Sequence, residues 1–193
     1  LLRTPAGWEI TATLDYGNTH LDIIERCRQA DRQAQFQLYQ LYAKSMYNLC
    51  LRLLNSEPDA EDLLQQSFVD VFSKLDSFRQ EASIGAWIRR IVVNNCINFL
   101  QKRKLTLENL DDQLQQLPET EASSLQLDVD SIHQAIQKLP EGCRVVLCLY
   151  LLEGYDHQEI AQILHIAEST SKSQYSRARK MLRELLKGKQ LLQ

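Results

Sequence analysis

Between Ser169 and Lys180 the chain reads STSKSQYSRARK, and hydroxyl and basic side chains recur there at intervals of three or four. On a helix that spacing gathers Ser169, Lys172, Ser173, Ser176, Arg177 and Lys180 on one side. Such donors hydrogen-bond phosphate oxygens and base edges, and a helix of that width enters a major groove. Taken alone, the same row suits a solvated helix face equally well. A second candidate surface lies upstream. Asn94 and Asn98 are four apart, and an amide donates and accepts at once, as base edges require. Arg89 and Arg90 precede them, and Lys102, Arg103 and Lys104 follow, all suited to holding phosphates. Catalysis has no comparable support. There is no Gly-rich phosphate loop, no nucleophile–base constellation and no metal-ligand cluster, and the four His are dispersed. The sequence therefore reads as a non-enzyme with no cofactor and no metal.

Charge is distributed in blocks that the formal total of −3 conceals. Residues 57–76 carry six acids and one Lys, whereas 79–104 carry six bases and one acid. Residues 105–130 then hold seven acids and no base, and 165–193 hold seven bases against two acids. Two basic blocks separated by acidic ones point to nucleic acid more firmly than the net charge does.

The elements that must carry these side chains are helical. Gly and Pro number only 6 and 4 among 193 residues, and apolar residues recur at three and four. Leu21, Ile24, Phe36, Leu38, Tyr39, Tyr42, Met46, Leu49 and Leu53 form such a pattern, with breaks expected near Asp31 and Lys44. Ser56 is placed to cap the next helix and Pro58 to open it, with Asp59, Glu61 and Asp62 at its positive end. Its apolar stripe is Leu64, Phe68, Val71, Phe72 and Leu75. A long helix follows over about 84–104, with Trp87, Ile91, Val92 (or Cys96), Ile97 and Leu100 inward. Residues 105–127 are acidic, Gln-rich and broken by Pro118, and read as a linker. Helices are then expected over about 128–138, 141–152, 156–164 and 168–187. The last two form a helix-turn-helix, with Thr170, Tyr175, Ala178 and Leu182 toward the core.

The fold expected is all-α: two small helical domains, at 19–104 and 128–188, joined by an acidic linker. Residues 1–18 read as a flexible leader rather than a signal peptide. No window reaches the roughly 18 apolar residues of a membrane span, so no membrane insertion is expected. The five Cys are odd in number and without C-x-x-C spacing, and read as small core residues of a cytoplasmic protein.

Two stretches carry a family resemblance. "DAEDLLQQSFVDVFSKLDSFRQEASIGAWIRRIVVNNCINFLQKRK" resembles the N-terminal domain of extracytoplasmic-function sigma factors of bacterial RNA polymerase. "LPEGCRVVLCLYLLEGYDHQEIAQILHIAESTSKSQYSRARKMLRELL" resembles their C-terminal domain, and the two stand in family order. The resemblance implies a transcription initiation factor whose partners are core RNA polymerase, promoter DNA and an anti-sigma factor. It implies that Asp62, Gln65 and Gln66 bind the polymerase clamp. It assigns Asn94 and Asn98 to the −10 strand, with Arg89, Arg90, Lys102, Arg103 and Lys104 on phosphates. Opening DNA there would use a basic groove and pockets for unpaired bases. Trp87 falls at a family core position. In the −35 reader, Lys172, Ser173, Ser176 and Arg177 would face the major groove. Gln174 and Arg179 would touch the backbone, and Ser169, Thr170 and Lys180 complete the set.

The sequence departs from the family pattern at two places. His165 stands where a turn Gly is usual, so a left-handed backbone there would fall on a residue with a side chain. Ser171 stands where an apolar residue usually packs, so its hydroxyl needs a buried partner. Two rival readings are a conventional helix-turn-helix regulator and a helical adaptor that binds only protein. Neither explains a clamp-binding helix beside a melting element.

Overall fold

A computed structural model describes residues 20–108 and 129–187, with the side chains of 104–108, 129, 130 and 187 outside that description. The expected leader and most of the expected linker lie outside the described residues. Among the described residues every regular element is helical. The helices are α1 (Leu21–Arg28), α2 (Arg32–Leu54), α3 (Glu57–Ser73), α4 (Ile84–Glu108), α5 (Val129–Gln137), α6 (Glu141–Leu151), α7 (His157–Leu164) and α8 (Glu168–Lys187). A 3-10 turn at Leu75–Ser77 leads out of α3.

Local chemistry sets most of the boundaries. The expected break at Asp31 is present: Ala30 turns left-handed at φ 58°, and the Asp31 carboxylate accepts from the Gln33 and Ala34 N–H groups. Arg26 pairs with the same carboxylate at 2.7 Å and holds it below the usual carboxylate range. Ser56 caps α3 by accepting from the Asp59 N–H at 3.5 Å. Asp156 and Glu159 form a reciprocal capping box at the start of α7.

The first unit packs α2, α3 and α4 around Leu38, Met46, Leu49, Phe68, Val71, Ile88 and Val92, with α1 closing one end through Ile24. Gly85 lets α4 approach α2 closely, since a Cβ there would lie 2.9 Å from the Tyr42 ring. Trp87 packs against Phe78 with ring centroids 5.4 Å apart, in keeping with a core role. The second unit buries Ile136, Leu139, Val146, Leu147, Leu149, Ile160 and Ala178. The two units touch, chiefly through α2 and α6, so their apolar interiors form one continuous cluster.

Four expectations are corrected. α2 runs unbroken through Lys44, because no Gly or Pro interrupts 32–54 and Lys44 itself is exposed. Phe36 is 60% exposed rather than inward. It sits two residues from both Ala34 and Leu38, which are buried, and two residues turn a helix by about 200°. Thr170 is exposed rather than in the core, and Ser171 takes the inward position. α4 also continues to Glu108, four residues past the change in composition at Lys104.

All five Cys are free and buried. Cys96 Sγ–H donates to Cys50 Sγ at 3.7 Å, and burial pushes the Cys148 thiol up to about 11. Among the described residues no helix is long and apolar enough to cross a membrane.

His165 ends α7 at φ 54°, ψ 44°, the left-handed conformation that its place in the turn requires. A side chain there costs on the order of 1 kcal/mol relative to Gly. His165→Gly should therefore raise the unfolding free energy by roughly 0.5–1 kcal/mol in denaturant titrations. A loss of stability would show that the imidazole makes a compensating contact. At neutral pH a thiol reagent should label none of the Cys until the chain is unfolded. Labelling of the native protein would place a sulfur outside the core.

Candidate nucleic-acid and polymerase interfaces

On α3 the residues Asp62, Gln65, Gln66 and Val69 are exposed and follow the i, i+3, i+4, i+7 spacing of one helical stripe. Val69, at 61% exposure, places an apolar side chain within an otherwise polar face. Gln66 Nε2 donates to Asp70 Oδ1 at 3.3 Å, and the other carboxylate oxygen of Asp70 accepts from Asn95 Nδ2 at 2.9 Å. Asn95 also donates to the buried Ser67 hydroxyl at 3.1 Å. This network fixes α3 against α4 and so sets the Asp62 stripe relative to the Asn94 face.

On α4 both Asn94 and Asn98 are exposed on a single side, with Ile88, Val92, Val93, Cys96 and Ile97 buried behind them. Arg89, Arg90 and Lys102 are exposed and Arg103 is half-buried. The Lys104 side chain lies outside the described residues. Arg89 and Arg103 are engaged by carboxylates of the second unit. Arg89 Nε lies 3.4 Å from Glu153 Oε2, and Arg103 pairs with Glu141 and, at 3.9 Å, with Asp59.

On α8 Ser169, Thr170, Lys172, Ser173, Ser176, Arg177 and Lys180 are all exposed, so the structure assembles most of the expected row on one surface. Lys172 pairs with Glu168 one turn before it, at 2.6 Å. Gln174 stands apart: it is half-buried and its Oε1 accepts from Cys143 Sγ at 2.9 Å. That contact turns its amide toward α6, which a backbone contact to DNA would have to break. The Arg179 guanidinium lies 5.7 Å from the Tyr175 ring centroid. The buried Ser171 hydroxyl has the partner it needs, His157 Nδ1 at 2.9 Å.

The contact between the units centres on Glu153. Its side chain is 4% exposed and is held by Arg52 at 3.1 Å as well as by Arg89. Gly154, at φ 78°, turns the chain directly after it. Nearby, Arg144 is buried and donates to the carbonyls of Leu139 and Leu53, at 3.0 and 3.5 Å. Burial pushes its guanidinium below the usual arginine range. Asn55 Nδ2 donates to the Gln137 carbonyl at 3.2 Å. Sequence reading missed Glu153, Arg144, Asn95 and Val69. Val69 was within reach, since it extends the Asp62–Gln65–Gln66 stripe by one turn. The other three depend on which helices meet, and no local pattern reports that.

Residues 38–106 match the family described as Sigma-70 region 2, and residues 129–182 match Sigma-70, region 4. The chain is 30% identical over 178 residues to the ECF RNA polymerase sigma factor SigW of Bacillus subtilis, covering 85% of this chain and 95% of that one. It is 27% identical to the RNA polymerase sigma-H factor of Pseudomonas aeruginosa, covering 85% and 92%. Among solved structures it resembles the sigma factor RpoE of Bartonella quintana in complex with the anti-sigma factor NepR. That likeness has a TM-score of 0.54 and 28% identity, over 78% of this chain and 95% of that one.

Glu153→Gln removes the carboxylate charge and leaves Arg52 half-buried with no counter-charge. The contact between the units should weaken by about 1–3 kcal/mol. Small-angle scattering of the free variant should then show a larger radius of gyration than the parent. An unchanged radius would show that apolar packing between α2 and α6 holds the units together without the ion pairs.

Proposed function

Because the chain belongs to the extracytoplasmic-function sigma factors of RNA polymerase, we propose that its two units divide promoter recognition between them. The α3 stripe of Asp62, Gln65, Gln66 and Val69 docks on the polymerase clamp. Asn94 and Asn98 of α4 meet the unpaired −10 strand, with Arg89, Arg90, Lys102, Arg103 and Lys104 along its phosphates. Helix α8 enters the major groove at −35 through Lys172, Ser173, Ser176 and Arg177, flanked by Ser169, Thr170 and Lys180. Gln174 and Arg179 are left for backbone contacts. The chain supplies specificity and the polymerase supplies the phosphoryl transfer, so the protein is not itself an enzyme. It acts in the cytoplasm, where polymerase and promoters are.

The observation that carries this reading is the separation of exposed faces. One α3 stripe, one amide pair on α4 and one basic row on α8 each face outward from a buried core. Amides suit unpaired bases because their edges are free to pair. The α8 row suits a duplex, because Arg reads guanine edges and Lys and Ser reach phosphates. An anti-sigma factor is a further proposed partner, by analogy with the NepR complex of the Bartonella quintana relative.

The test mixes purified protein with sigma-free core polymerase and a promoter library. The reading expects co-elution with core and transcripts from a defined subset of promoters. Absence of both would overturn it. Arg177→Ala should relax preference within the −35 element by about 1–3 kcal/mol per contacted base pair. Asn94→Ala should alter −10 preference or strand opening and leave −35 preference intact. Uniform weakening across all sequences would reassign both residues to phosphate contacts.

A further inference from the structure

The hydrogen bond between His157 and Ser171 lies where it can govern what α8 presents. Ser171 is fully buried on the inner side of α8, and its two successors Lys172 and Ser173 are exposed. Its partner, His157, is the first residue of α7, whose start is pinned by the Asp156–Glu159 capping box. The imidazole is itself confined. It stacks on Tyr150 of α6 at 4.5 Å and 16°, and meets the Tyr175 ring edge-on at 5.6 Å. Tyr150 and Tyr175 are in turn 4.5 Å apart. Parts of three helices thus hold one ring, and the ring holds one hydroxyl of the reading helix.

Apolar packing by Ala178 and Leu182 sets the distance of α8 from its neighbours, yet dispersion contacts tolerate small rotations and slides. A hydrogen bond to a buried hydroxyl tolerates them less, because turning α8 away would leave the hydroxyl unpaired in the core. Base reading is equally strict, since a donor must come within about 3 Å of its acceptor. One residue of slide is about 1.5 Å.

We infer that His157, through its hydrogen bond to Ser171, is a positioning residue that sets how α8 offers Lys172, Ser173 and Ser176 to DNA and so shapes −35 preference. The inference rests on the proposal that α8 reads the −35 element. With the ring proton on Nε2, Nδ1 accepts from the Ser171 hydroxyl, and the reading helix is locked in rotation and in axial register. His157 touches no base itself.

The test uses holoenzymes formed from full-length parent, His157→Leu, His157→Asn and Ser171→Ala proteins. Each transcribes from a library randomised in the −35 element, and each protein's thermal midpoint is measured in parallel. Ser171→Ala removes the hydroxyl with its need for a partner, so it separates positioning from stability. In Ser171→Ala and His157→Leu the ratio of best to singly altered −35 sequences should fall about three- to tenfold, the scale of one buried hydrogen bond. His157→Asn, which returns a polar atom near the position of Nδ1, should recover part of that ratio, and −10 preference should not move. Variants that keep the parental −35 ranking and lose only stability or overall transcription would overturn the inference. A parent that transcribes but is indifferent to −35 sequence would remove the reading role of α8 itself, a different failure and a distinguishable one.

Discussion

The carboxylate of Glu153 sits almost wholly out of water between Arg52 and Arg89, and the relation of the two units depends on it. A buried carboxylate is tolerable only while cations surround it. Arg52 belongs to α2, Arg89 to α4 and Glu153 to the turn after α6, so one ion cluster joins both units. Arg144 repeats the device in the other direction, donating from α6 to the Leu53 carbonyl at the end of α2. Its guanidinium meets the negative end of that helix, where a cation is favoured. Arg103 adds a third tie by reaching Glu141. Arg89 and Arg103 are among the cations proposed for the −10 phosphates, and neither can serve a carboxylate and a phosphate with the same donors. The packed arrangement and the DNA-bound one therefore compete for the same side chains.

Within each unit, buried polar groups hold the candidate surfaces in place. Asn95 satisfies Ser67 and Asp70 at once, which locks the α3 stripe to the α4 amide face. His157 satisfies Ser171 at the start of the α8 row. In both places an unmade hydrogen bond would cost about as much as a core methyl group or more, so the helices have little freedom to drift. The exposed candidate residues thus take their geometry from hydrogen bonds made behind them to the buried hydroxyls of Ser67 and Ser171.

Much of this was legible in the sequence because it is written in local chemistry. The Asp31 break, the Ser56 cap and the helices near 129–137, 141–151, 157–164 and 168–187 all follow from caps, turn residues and periodicity. Both departures from the family pattern carried a physical demand that the structure meets. His165 adopts positive φ, and Ser171 finds a buried partner. Phe36 faces outward despite its place in the apolar pattern, because it lies about 200° around the helix from both Ala34 and Leu38. Thr170 faces outward although the apolar pattern of α8 places it toward the core; Ser171, one residue and about 100° further round the helix, holds the inward position that the family pattern implies. Glu153, Arg144 and Asn95 were out of reach, since each has a partner that stands between 25 and 101 residues away on another element. The contact of Gln174 with Cys143 was equally out of reach, since it depends on how α8 meets α6.

On a promoter the −10 and −35 elements lie roughly 25 base pairs apart, about 85 Å along a duplex. Two units packed through Glu153 cannot span that distance, so the proposed role requires them to separate. The direct measurement is the distance between labels on exposed positions of α4 and α8, in the free protein and in the complex with core polymerase and promoter DNA. A short distance in the free chain that lengthens by several tens of ångströms in the complex is the result expected. A short distance that persists while the complex transcribes would contradict the division of promoter recognition between the two units.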